Sequence, residues 1–278
     1  MPSTVIRDRR AWLVAPALAL LLAAFVYPVF WLLLRSASDP VWGFHNYATA
    51  LSEVIYLKVL WNTVAISGAT TIFCLLFGYP MAYTMVHAGP AARRILIYIV
   101  LIPFWTSILV RTFAWLVLLQ PKGLINDILL GIGLIARPLE LIYNRTGVLI
   151  GMVQILLPFM VFPLFSVLSR IDGSYMKAAA NLGAPPLPAF FRVYLPLSLP
   201  GVFTGCMLVF IISLGYFITP ALLGGRRDIM VAQLIQEQID QFGDWGLSAA
   251  LAMILLAGTA LIFTLAHKVF GVKPAIRA

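Results

Sequence analysis

Charge is scarce in this chain, and negative charge most of all. Asp and Glu number ten among 278 residues, charged residues of both signs make up 10%, and 62% of the chain is hydrophobic, with a mean hydropathy of +0.99. A soluble domain of this size carries about a quarter charged residues, so water cannot solvate most of this surface. Lipid must cover the rest, and the chain is an integral membrane protein. Cysteine is nearly absent. Cys74 and Cys206 each fall in an apolar run, which excludes a disulfide framework and a thiolate metal site. His45, His87 and His267 are scattered, with no HExxH pair, and no GxxxxGK[ST] loop occurs. Nothing here supplies the nucleophile–base or metal pair that an intramembrane enzyme needs.

What is present is apolar sequence in long runs. Six segments, 11–34, 61–86, 95–119, 146–169, 201–223 and 246–267, each reach the roughly 20 residues that a helix needs to cross a bilayer. They are predicted to be helices because a backbone facing lipid must bond within its own segment. The runs are continuous rather than alternating, which argues against a barrel. The first is longer than the roughly 7–15 apolar residues of a secretory leader and is expected to stay as a span. The fold class is therefore all-α integral membrane, with residues 1–278 expected to form one transmembrane domain.

The few charges are distributed unevenly. The N-terminus, the 87–94 link, the 170–200 loop and the C-terminal tail hold Arg7, Arg9, Arg10, Arg93, Arg94, Arg170, Lys177, Arg192, Lys268, Lys273 and Arg277 against only Asp8 and Asp172. All the other flanks together are neutral, so the whole formal +9 lies at one end of the spans. The positive-inside rule puts that end, and both termini, in the cytosol. The pI near 9.8 thus reports topology, and no basic-aromatic stripe suggests nucleic acid. At the opposite end, 36–60 reads as partly amphipathic and 120–145 holds a short interfacial run. Residues 230–244 set Val231, Leu234, Ile235 and Ile239 on one face of an amphipathic surface helix.

One basic-end loop is unusual for its stiffness. "KAAANLGAPPLPAFFRVYLPLSLPG", from Lys177 to Gly201, holds five prolines. An alanine-rich helix should end at Gly183 in the left-handed conformation, because Pro185, Pro186 and Pro188 cannot continue it. "AFFRVY" is expected to form a second short helix, with Phe190 and Phe191 seating it on the spans and Pro196 and Pro200 bending the chain into span five. The pattern resembles the EAA loop of ABC-importer permeases, with Ala178, Ala179, Gly183, Ala184, Phe191, Leu195, Pro196 and Pro200 at matching positions; Lys177 stands where that motif has glutamate. "LIPFWTSILVRTFAWLVLLQPKGLIND" (101–127), "LLPFMVFPLFSVLSRID" (156–172) and "GYFITPALLGGRRDIMVAQLI" (215–235) are similar to the polyamine-type permeases of spermidine/putrescine importers. Permeases for opines, aminophosphonates and other zwitterionic solutes share much of it.

The resemblance implies a type I importer permease fold and a set of partners: a second permease, a cytosolic ATPase dimer and an extracytoplasmic binding protein, in a bacterial inner membrane. The loop at 172–200 would couple to the ATPase, which alone would bind ATP and Mg²⁺; this chain would bind no cofactor and catalyse nothing. For the pathway, ionisable and aromatic groups within spans come first. Arg111 is either a ligand or a structural group bonding carbonyls freed around Pro103. Trp105, Trp115, Tyr216 and Phe217 offer aromatic faces to a cation, and Thr106, Ser107 and Thr219 offer hydroxyls. Gly215 and Pro220 should loosen span five. No span holds Asp or Glu, which sits uneasily with a polycationic solute. A secondary transporter or channel working alone is the rival class; it favours internal repeats and midplane acids, which this sequence lacks.

The charge asymmetry makes a direct prediction. A fluorescent protein that matures only in the cytosol should fluoresce when fused after Ala278, and alkaline phosphatase inserted in 120–145 should be active. The reverse pattern would put the proline loop outside the cell.

Overall fold

The computed structural model describes residues 11–270, and among these every regular element is a helix. The charged extremities that contribute to the asymmetry (Arg7, Asp8, Arg9, Arg10, Lys273 and Arg277) lie outside the described residues. Helix α1 (Ala11–Leu21) passes through a π turn at Leu22–Val26 into α2 (Tyr27–Ser38), together the first span. The short α3 (His45–Ser52) lies before α4 (Val54–His87), whose 34 residues cover about 50 Å and overrun a bilayer.

The third apolar run does not form the continuous span expected over 95–119. Helix α5 (Pro90–Leu101) tightens into a 3₁₀ turn at Ile102–Trp105, and the chain turns by 102° before α6 (Ile108–Leu118). The physical cause is local. Pro103 has no N–H to give, and Thr106 and Ser107 adopt extended backbone. The Pro103 carbonyl accepts from both Thr106 N at 3.3 Å and Thr106 Oγ1 at 2.8 Å, so it keeps its partners at the break.

Beyond α7 (Leu124–Gly131), α8 (Arg145–Leu168) closely matches its expected span. Next comes α9 (Ser174–Asn181), then α10 (Pro186–Ala189), a π turn at Phe190–Tyr194 and α11 (Leu195–Leu214). From Pro186 to Leu214 this is one helix, so Pro196 and Pro200 lie within it rather than leading into it, and span five begins well before residue 201. A proline removes one helical hydrogen bond and crowds the carbonyl four residues back. Here the π turn lies just before Pro196 and widens the helix where Arg192 would be crowded. The π turn before Pro28 repeats the arrangement. Span five also ends early, at Gly215, leaving α12 (Ile218–Leu223) as a separate piece. Helices α13 (Val231–Phe242) and α14 (Trp245–Phe270) complete the chain, giving five uninterrupted candidate spans plus the broken one.

The core is a three-helix packing of α4, α8 and α11, built around Ile66, Met85, Met152, Met160, Leu164 and Val209. Lipid tails are as apolar as leucine, so helices in a membrane associate by close van der Waals contact rather than by escape from water. Glycine permits that approach. A Cβ on Gly205 would lie 2.7 Å from Met160 Sδ, and one on Gly201 would lie 2.9 Å from Val167 Cβ and 3.4 Å from Leu164 Cα. Gly201 and Gly205 form a GxxxG stripe on α11, and Gly147 and Gly151 repeat it on α8. A second cluster, including Ala50, Val59, Val231, Leu234, Leu247 and Leu251, lies at the other end. There α13 is amphipathic as expected, and its apolar face packs on protein.

Gly201→Val should wedge α11 from α8 and destabilise the protein by about 1–3 kcal/mol. The check is a lowered melting temperature in detergent beside Gly258→Ala, whose added Cβ would meet open space.

Candidate functional site

At the basic end the proline loop folds into a compact elbow. Asp172 Oδ1 accepts from Ser174 N at 2.9 Å and starts α9. The Ser174 backbone and hydroxyl hold the Asp172 carboxyl below its usual range, with a smaller contribution from Lys177. At the other end of α9, Gly183 N donates to Ala180 O at 2.9 Å and Ala184 N to Ala179 O at 3.0 Å. That closure requires a left-handed residue, and Gly183 takes φ +81°. The glycine stop expected from sequence is present.

The elbow offers one face outward and grips the spans with the other. Lys177 and Ala178 are exposed, Ala179 and Ala184 half-buried, and Leu182 is 88% exposed. Phe191, expected to seat the elbow on the spans, is instead 56% exposed. Phe190 does the seating, and Phe191 stands edge-on against it at 5.3 Å on the outer side. Its ring meets Tyr79 and Tyr83 of α4 edge-on at 6.1 and 5.9 Å and stacks on Tyr194 at 5.7 Å. Tyr83 in turn packs against His87 at 4.2 Å. Tyr79 Oη and Ser198 Oγ share a hydrogen bond at 3.0 Å, tying α4 to the first turns of α11. Leu195 is half-buried and Pro196 exposed there. The α4 half of this cluster, Tyr79, Tyr83 and His87, went unrecognised in the sequence. Its signal was the i, i+4, i+8 spacing of aromatic rings on one helix face.

The predicted pathway residues divide into two groups. Arg111 and Tyr216 meet in a cavity of about 220 Å³ at the break in span three, lined also by Phe104, Phe159, Ile155 and Ile212. Thr219 is buried beside it, sharing a 3.4 Å hydrogen bond with Thr112 of α6. Phe217 precedes α12 and is half-buried. The other group stays out. Trp105 is 89% exposed, Thr106 and Ser107 form the exposed break, and Trp115 donates to Gln154 Oε1 at 3.4 Å. Arg111 does not serve the carbonyls around Pro103 in the way one expectation had it. Thr106 already satisfies Pro103 O, and Arg111 Nε is buried without a partner. Phe104 and Phe159 were missed because nothing in their local sequence distinguishes a lining ring from a lipid-facing one. Among the described residues no group of His, Cys, Asp and Glu is arranged to hold a metal ion.

The left-handed Gly183 gives a quantitative expectation. Gly183→Val should strain the elbow by about 1–2 kcal/mol, lowering uptake by the assembled transporter while the subunit still inserts at normal levels. Unchanged uptake would show that the turn is not needed.

Comparison with known proteins follows the same geometry. Residues 74–270 match the family described as binding-protein-dependent transport system inner membrane component. The spermidine/putrescine transport system permease protein PotB of Haemophilus influenzae is 36% identical over 231 residues, covering 82% of this chain and 80% of that protein. PotB of Escherichia coli K12 is 35% identical, covering 77% and 78%. The molybdenum transport system permease protein ModB of Mycobacterium bovis is 29% identical, covering 72% and 74%. In three dimensions, a chain of a bacterial ABC transporter that imports the acidic polysaccharide alginate superimposes with a TM-score of 0.73 at 20% identity, covering 94% of this chain and 96% of that one. That likeness carries the fold. With the six apolar runs, the glycine-stopped elbow and these relatives together, the chain belongs to the family of inner-membrane components of binding-protein-dependent transport systems.

Proposed function

We propose that this chain is one permease half of an ATP-driven importer for polyamines such as spermidine and putrescine. The observation that carries the reading is the 36% identity to a spermidine/putrescine permease across four-fifths of both chains. The elbow at 172–200 is then the contact with a cytosolic ATPase, and the basic end faces the cytosol. A second permease completes the pathway, and a binding protein delivers the solute from outside. The chain catalyses nothing itself. ATP and Mg²⁺ are held by the ATPase pair.

The architecture suits that work. A lever between a motor and a membrane helix must not bend. The elbow is short, stopped by Gly183 and stiffened by Pro185 and Pro186, and it is joined by the Phe190 ring cluster to α4 and by continuous helix to α11. The exposed Lys177 and Leu182 give the motor a mixed basic and apolar face. Lys177, standing where related loops carry glutamate, calls for an acidic group on the ATPase side.

A second reading keeps the transporter and changes the solute. An unpartnered Arg111 Nε beside a cavity, in spans without a carboxylate, favours a zwitterionic or anionic molecule. A buried guanidinium is costly, about 2.5–3.5 kcal/mol at the centre of a span, and an anionic ligand group would offset that. Proteoliposomes holding this chain with its partner permease, ATPase and binding protein decide between them. Expected is ATP-dependent uptake of labelled spermidine, resistant to competition by excess amino-acid or phosphonate solutes. Competition by those solutes would favour the second reading, and uptake without the ATPase would reject both.

A further inference from the structure

At the end of the spans opposite the elbow, three segments distant in sequence meet in one polar knot. Asn62 of α4 donates through Nδ2 to Arg227 O at 2.7 Å and accepts at Oδ1 from Arg145 Nη2 at 3.0 Å. Arg145, at the first turn of α8, also donates through Nε to Asp228 Oδ1 at 3.3 Å, in the one ion pair found among the described residues. Thr63, next to Asn62, accepts from Val231 N at 2.9 Å where α13 begins. Asn62 and Asp228 are buried, whereas the Arg145 side chain is half exposed.

The backbone around this knot leaves no slack. A Cβ on Gly225 would overlap the Tyr143 carbonyl, and one on Gly224 would lie 3.1 Å from Val148 Cγ2. On α8, a Cβ on Gly151 would fall 2.7 Å from both Leu223 Cδ1 and Thr219 Cγ2. Helix α12 therefore lies flush on α8 through its glycine face. It starts two residues after Tyr216, which lines the Arg111 cavity. Opening the knot would strand a buried amide and a mostly buried carboxylate without partners, a penalty far larger than the gain from forming them.

We propose that Asn62, Arg145 and Asp228 form a clasp that stays closed through the transport cycle. It fixes α12 and residues 224–231 to α4 and α8, so that this edge of the outer mouth moves as one block. The loaded binding protein then meets a preformed surface and need not order a loose loop on arrival. The three are positioning residues, and the proposal rests on the reading of this chain as an importer half whose elbow faces the cytosol.

The test uses the complete transporter in proteoliposomes, with Cys74 and Cys206 replaced by alanine. Arg145→Cys with Asp228→Cys removes the ion pair, and a short bifunctional maleimide restores the link covalently. Before bridging, the binding-protein concentration giving half-maximal ATPase stimulation should rise about fivefold, the factor expected for losing a partly exposed ion pair, with the maximal rate retained. After bridging it should return toward the parent value and uptake should continue. Asp228→Asn, which keeps the shape of the side chain, should shift the same concentration in the same direction at normal membrane levels. The clasp is overturned if bridging stops transport, since the contact must then open during the cycle, or if neither variant moves the half-maximal concentration. A parent complex that the binding protein does not stimulate overturns the importer reading instead, and so separates the two failures.

Discussion

A backbone amide in hydrocarbon has no water to turn to, and almost every feature of this molecule follows from that. Each unpaired N–H or C=O at membrane depth costs several kcal/mol, so the chain crosses as helix, and where the helix stops the freed groups need other partners. It stops twice. One stop is at Thr106–Ser107, the other at Gly215–Phe217. These breaks are adjacent in space: α12, just after the second, packs on α6, just after the first, and the two share the Thr112–Thr219 hydrogen bond. Arg111 and Tyr216, from the two broken segments, face one cavity. The irregular backbone is thus gathered at one place, and the most polar intramembrane groups of those segments lie there with it.

At the other end of the same helices the problem is mechanical. A surface loop joining two spans could be floppy, yet this one has its helix end fixed by a left-handed glycine and its return set by proline. It grips the spans through rings rather than through charges. Edge-on aromatic contacts are directional and each is worth about 0.5–1.5 kcal/mol beyond burial. The pairs that Phe190 makes with Tyr79 and Tyr83 therefore resist sliding without needing a desolvated ion pair. The Tyr79–Ser198 hydrogen bond sets the register of α4 against α11 at that point. On the proposed reading, displacement of α9 is passed through these contacts into the α4–α8–α11 core, where glycine contacts leave little room to deform.

How much of this was legible in the sequence depends on the range of the cause. The first, fourth and sixth apolar runs, the amphipathic face of α13 and the stop at Gly183 are set within a few residues, and each lies where the pattern put it. The end of span five at Gly215 could also be anticipated, because Gly215 and Pro220 weaken the helix there. The uninterrupted Pro186–Leu214 helix could not, since proline is a helix breaker until a π turn absorbs its crowded carbonyl, and local propensity does not announce π turns. The 102° break in span three was hidden by hydropathy, which sums apolar residues without regard to direction. Among the candidate site residues, the left-handed conformation of Gly183 followed from local geometry. Phe190 and Phe191 show the limit: both are aromatic neighbours in one motif, and only the placement of the π turn against α4 decides which one packs.

If the cavity beside Arg111 lies on the solute's path, it shows how such a pathway can be permissive. Its guanidinium has an unpartnered edge in a cavity walled by Phe104, Phe159 and Tyr216, and none of the apolar spans supplies a carboxylate. A fixed positive charge in a weakly solvated space disfavours a polycation that rests there, while the ring faces around it attract one by about 0.5–2 kcal/mol each. On the proposed reading these terms oppose each other, so a polyamine would pass a shallower site than the rings alone would make. That suits a transporter whose specificity is set before the membrane is reached. Tight binding midway would slow release into the cytosol, whereas a binding protein outside can bind tightly because the ATPase supplies the free energy that opens it. If the solute were anionic, Arg111 would become the deepest well on the path and release would need its charge to be met by another group, which must then come from the second permease. The sign of the solute thus determines whether this half supplies only a weak passage or the principal ligand, and Arg111 is the residue at which the two differ.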